Sequence, residues 1–102
     1  MTPQDIVQKW PELFDTPGQV LIYNAGMWWI KRKNGVVKTY EFLALALIRV
    51  KLEDALIEKG YTVSNGPDGP SVQDVDGICI ALDYEPEDII ETLAEAYGKV
   101  GG

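Results

Sequence analysis

Histidine is absent from this chain of 102 residues. The commonest general base and the commonest metal ligand are therefore missing, and no Ser–His or Cys–His nucleophilic pair can form within one chain. Cysteine occurs once, at Cys79. That excludes an intramolecular disulfide, fits a reducing compartment, and leaves no ligand set for a structural zinc site. Neither G-x-G-x-x-G nor G-x-x-x-x-G-K-[ST] occurs, so no phosphate-cradling loop is signalled. Long apolar runs are missing too. The most apolar stretch, residues 42–50, is far short of the roughly 20 residues that a membrane span needs. The opening "MTPQDIVQKWPELFD" carries acids where a secretory leader would be basic and then apolar. These absences predict a cytoplasmic protein with no membrane segment and no cofactor, and a non-enzymatic role.

What is present describes a globular chain. Apolar residues make up 46% and charged residues 25%, the proportions of a domain that can bury its own core. One domain over residues 1–102 is expected. The net charge is −7 and is unevenly spread. Residues 1–49 hold six cations against four acids, for +2; residues 50–102 hold three cations against twelve acids, for −9. An acidic total opposes direct nucleic-acid binding, which depends on neutralising phosphates, and suits a basic partner surface.

The chain opens with a helix signal. Thr2 is placed to cap, Pro3 to occupy the first helical position, and Asp5 stands near N3. Pro11 ends this short helix near Lys9, another turn runs to Phe14, and "DTPG" breaks the chain. "QVLIY" (19–23), "MWWIKRK" (27–33) and "VVKTY" (36–40) read as three strands of an antiparallel meander, with "NAG" and "NG" as its turns. Residues 41–59 read as a long helix ended by Gly60. Its first half is apolar nearly all round, which predicts a central helix covered by other elements or by a partner and leaves room for a homodimer. "YTVS" and "VQDV" are short strands, and residues 65–77 read as a flexible loop in which Asn65 and Asp68 could touch a ligand. "ICIALDY" reads as a central strand, Ile78, Ile80 and Leu82 on one face and the small Cys79 and Ala81 on the other. Cys79 is expected as a buried small hydrophobe. Pro86 opens a last helix, and residues 98–102 fray. The expected fold is α+β, with one mostly antiparallel sheet of four to five strands packed against a long central helix and a C-terminal helix.

Three groups of residues could carry function. Asp74 and Asp76 in "DVDG" form a D-x-D pair that could hold a hard cation and support a metal-dependent enzyme. Ordinary turn chemistry accounts for the same residues more simply, and the calcium-loop pattern is incomplete. Glu87, Asp88, Glu91 and Glu95 on the last helix form an acidic stripe. It is either a solvated face or a surface that occupies a basic site on a partner as phosphates would. The third group is "AGMWWIKRKNG". Strand parity sends Trp28 and Trp29 to opposite faces, with Trp29, Lys31 and Lys33 in phase on the face that mixes aromatic and cation. An exposed Trp is enriched at interfaces, so this face is the expected partner contact. An aromatic plane beside cations also suits a nucleotide, which is the alternative. Small, acidic, histidine-free α+β domains occur among phage- and plasmid-borne antagonists. That analogy of class adds the expectation of an inhibitor that masks a basic or nucleic-acid-handling surface.

Overall fold

The computed structural model describes residues 1–16 and 19–101; Pro17 and Gly18 of the expected "DTPG" break, and Gly102 at the C-terminus, lie outside the described residues. The chain is α+β. Its internal contacts divide it into two compact units, residues 1–48 and 49–102, and the division falls inside a single helix.

In the first unit, α1 (Pro3–Lys9) forms as its signals require. Asp5 N–H donates to Thr2 Oγ1 at 3.2 Å and Thr2 N–H to Asp5 Oδ2 at 3.1 Å, a reciprocal capping box. The hydrogen bonds from Thr2 hold the Asp5 carboxyl below its ordinary value. Trp10 ends the helix, and a 3₁₀ turn over Pro11–Leu13 delivers Phe14 into the core. Strands β1 (Asp15–Thr16), β2 (Gln19–Asn24), β3 (Met27–Arg32) and β4 (Gly35–Thr39) pair antiparallel in chain order. The two-residue β1 only extends a three-stranded meander. Helix α1 lies against β2, and Ile6, Val7, Trp10, Phe14, Leu21 and Trp28 are buried. Lys9 places its ammonium 5.0 Å from the Trp10 ring centroid, a cation–π contact that shields the indole.

Helix α2 (Glu41–Glu58) spans the division. It ends as predicted: Gly60 has φ +93°, Gly60 N–H donates to the Ile57 carbonyl at 2.9 Å, and Tyr61 N–H to the Leu56 carbonyl at 3.0 Å. That is a Schellman ending. The expected enclosure is corrected, however. Only the strip Ala44, Ile48, Leu52 and Leu56 is fully buried, while Phe42, Leu43, Val50 and Ile57 are exposed. The buried residues recur at four-residue spacing and make a single strip, so the apolar residues on the other sides of the helix are left in solvent.

In the second unit, β5 (Thr62–Gly66), β6 (Gly69–Gln73) and β7 (Cys79–Leu82) form a separate antiparallel sheet in that order. A 3₁₀ turn over Pro86–Asp88 leads into α3 (Ile89–Lys99), which packs on β6 and β7. The single four- to five-stranded sheet is thus replaced by two sheets. The segment expected as a flexible loop, 65–77, supplies the end of β5, all of β6 and the turn into β7. Strand β7 is an edge strand and not a central one, and its two faces are not both buried as expected. Ala81 stands opposite Val72 and is buried, while Ile78 and Leu82 face out and Cys79 is exposed. The small side chain goes where α3 approaches the sheet closely. Thr92, fully buried in α3, donates its hydroxyl to the Asp83 carboxylate and lies 2.9 Å from the Asp88 carbonyl, which ties the helix to the end of β7.

Gly69 starts β6 with φ +105°, and a Cβ there would overlap the Asp83 carbonyl and come within 2.8 Å of Tyr84 Cα. Gly66, its partner across the same hairpin, has open space at that position. Gly69→Ala is expected to cost more than about 2 kcal/mol in chemical denaturation, whereas Gly66→Ala should change stability by less than about 1 kcal/mol. Equal effects would contradict the close approach of β6 to the segment after β7.

Candidate functional site

The register of the meander decides what each tryptophan does. A two-residue turn, Ala25 and Gly26, closes β2 onto β3; both residues have positive φ, 54° and 72°. These are the signs of a type I′ turn, whose twist suits a hairpin. Cross-strand partners share a face. Trp28 is opposite Tyr23 and Thr39, and Ile30 is opposite Leu21 and Val37. Trp28 is buried, with its ring centroid 4.9 Å from that of Tyr23 and tilted by 58°. On the other face, Trp29 is opposite Ile22 and Lys38, and Lys31 is opposite Val20 and Val36.

Trp29 is half-buried, and its indole Nε1 donates to the Asn24 carbonyl at 3.1 Å. The ring is thereby held toward the Ala25–Gly26 turn, its polar atom satisfied and part of its apolar surface open. Lys31, Val36 and Lys38 are exposed around it. Lys33 is not on this face: β3 stops at Arg32, and the second turn is Lys33 and Asn34, one residue earlier than the "NG" pair suggests. Lys38 from β4, which the parity of β3 alone could not reveal, stands beside Trp29 instead. Beyond β2 the apolar strip continues from Ile22 and Val20 into a cleft of about 470 Å³ walled by Val7 and Pro11, with Glu12 and Asp15 at its rim. The face therefore runs from cations, through Trp29 and two aliphatic residues, to acids.

A second concavity, of about 420 Å³, opens at the far end of the meander. Trp28, Tyr23, Lys38, Gln4, Thr39 and Glu41 line it.

The other expected residues fall in the second unit. Glu87, Glu91 and Glu95 are exposed at four-residue spacing, one stripe along the 3₁₀ turn and α3, and Asp88 is half-buried. Glu95 shares Lys99 at 3.2 Å, a surface ion pair of small energetic weight. Asn65 lies exposed in β5 and Asp68 in the turn after it. Asp74 builds the turn between β6 and β7: its Oδ1 accepts from Asp76 N–H and from Ile78 N–H, each at 2.9 Å. Among the described residues no three of His, Cys, Asp and Glu gather as a metal site would need, and no helix is long and apolar enough to cross a membrane.

Compared with known proteins, the chain matches no family model, and no curated protein or solved structure is significantly similar to it.

Asp74 tests the structural role of the D-x-D pair. Asp74→Ala removes the acceptor of two main-chain donors and is expected to lower unfolding free energy by about 1–2 kcal/mol, with Asp74→Asn keeping most of it. A melting series in which both variants match the wild type would remove that role.

Proposed function

We propose that the protein is a non-enzymatic protein-binding module whose principal contact is the sheet face centred on Trp29. One observation carries the reading: a tryptophan held by its own hydrogen bond, half open, sits beside Ile22 and the exposed Lys31, Val36 and Lys38 on one face of the meander. Interface hot spots combine a rigid aromatic anchor with a polar rim. The partner patch that fits is apolar at its centre, acidic where it meets Lys31 and Lys38, and basic where it meets Glu12 and Asp15.

The stripe of Glu87, Glu91 and Glu95 supplies the antagonist aspect. It suits a basic surface of the kind that handles nucleic acid, and occupying such a surface would inhibit its owner. A cytoplasmic setting agrees with the free thiol of Cys79.

Affinity purification from native lysate tests both surfaces. Trp29→Ala is expected to weaken capture by about 2 kcal/mol, and reversal of Lys31 and Lys38 to Glu to abolish its salt dependence. Reversal of Glu87, Glu91 and Glu95 to Lys should release any basic partner. Full recovery of the same partners by all three variants would reject the proposal.

The cleft at Trp28 favours one alternative, a small-ligand or nucleotide site. There an aromatic pair, Lys38 and the amide of Gln4 converge, and of the two tryptophans that the sequence offers for such a pocket the one that lines it is Trp28. A nucleotide that binds is expected to quench tryptophan emission and raise the melting temperature, with Lys38→Ala cancelling both. A flat response across a nucleotide panel at millimolar concentration would dismiss it.

A further inference from the structure

Strand β4 is an edge that its own unit leaves bare. Gly35, Val36, Val37 and Lys38 are all exposed, Val36 and Val37 at 54% each although they point to opposite faces. The pairing of β4 with β3 is regular, without a bulge, and the strand has no proline and one charge. Natural edges are usually blunted. In the second sheet β7 is blunted in this way, since Lys99 Nζ occupies the Ile80 carbonyl at 2.6 Å. Directly after β4, Tyr40 and Phe42 stack with ring centroids 5.8 Å apart, 71% and 68% exposed, and Leu43 is exposed beside them. A contiguous apolar patch of this kind marks an interaction surface.

Backbone directions identify the partner. The turn of Lys33 and Asn34 makes Arg32 and Gly35 the closing pair, so Gly35, Val37 and Thr39 turn their amides toward β3. Val36 and Lys38 then present N–H and C=O outward. A second copy of β4, laid antiparallel about a two-fold axis through Val37, pairs Val36 of each copy with Lys38 of the other, and all five strand residues overlap. Val37 meets its counterpart in a non-hydrogen-bonded pair, with Cα atoms about 4.5 Å apart. Lys38 is kept away from Lys38, as cross-strand electrostatics require. The same register brings the turn with Lys33 of one copy to the start of α2 with Glu41 of the other, opposite charges at both ends of the joint.

We propose that the chain self-associates through β4, forming one continuous sheet across two copies, with Tyr40, Phe42 and Leu43 completing the contact. A strand pair alone is smaller than the roughly 800 Å² per partner of a standard interface, so the aromatic pair is a necessary part of it. The proposal does not rest on the Trp29 face: it uses the outward backbone of β4, although the side chains of Val36 and Lys38 belong to that face as well.

A charge swap at the two-fold tests it. Wild-type protein at about 100 μM is expected to sediment as a dimer. Val37→Lys and Val37→Asp, each placing like charges face to face, are expected to be monomers with unchanged circular dichroism, and an equimolar mixture to recover the dimer. A monomeric wild type, single variants that stay dimeric, or a mixture of folded variants that stays monomeric would each overturn the proposal. If either charge unfolds the strand, Val37→Cys in a Cys79→Ser background replaces it. Oxidation should then yield a covalent dimer, since a Cα separation of about 4.5 Å lies within disulfide reach, and failure to cross-link would count against the two-fold.

Discussion

Everything proposed for the first unit depends on the register of one three-stranded meander. Strand side chains alternate with period two, so a slip of a single residue would exchange the faces of Trp28 and Trp29 and of every residue around them. The Ala25–Gly26 turn sets the register of β2 on β3, and the closing pair Arg32 and Gly35 sets that of β3 on β4. Ala25 adopts φ +54°, a conformation that costs a non-glycine residue about 1 kcal/mol. The meander tolerates it because the alternative would place a lysine row against the buried Phe14 and Leu21. Burial of Trp28 and exposure of Lys31 and Lys38 are thus two consequences of one constraint.

The same economy leaves surface uncovered. Among the described residues only one strip of α2 is fully buried, and large apolar residues elsewhere, Val36, Val37, Tyr40, Phe42 and Leu43 among them, stay exposed. Where the exposed apolar groups are scattered they need no explanation. At Val36, Val37, Tyr40, Phe42 and Leu43 they are consecutive or nearly so, and they adjoin unpaired backbone. Around Trp29 they are ringed by charge. These two patterns are physically different, one suited to backbone pairing and the other to side-chain recognition, and that is why they are assigned different occupants.

Local chemistry was legible in the sequence, and long-range pairing was not. The helix start at Thr2 and Asp5, the glycine ending of α2 and the opposite facing of Trp28 and Trp29 follow from residues adjacent in the chain, and each appears as expected. The division into two sheets does not follow, because strand segments carry no mark of which sheet they join. Reading "ICIALDY" as central failed for the same reason: apolar residues on both faces suggest burial, but the approach of α3 selects Ala81 over Ile80 for the inner face. Lys38 entered the Trp29 face only through pairing across strands. Lys33 left it because the turn formed at Lys33 and Asn34, with Gly35 drawn into β4 at φ +132°. At "DVDG" turn chemistry was the simpler reading of the sequence, and hydrogen bonding shows Asp74 to be a builder of its turn.

The register itself is open to direct measurement by cross-strand Hα–Hα nuclear Overhauser effects, which are strong between residues of non-hydrogen-bonded antiparallel pairs. The account predicts them between Leu21 and Ile30, Tyr23 and Trp28, Trp29 and Lys38, and Lys31 and Val36. Contacts displaced by one residue along β3, such as Ile22 with Trp28, would put Trp29 in the core and contradict it.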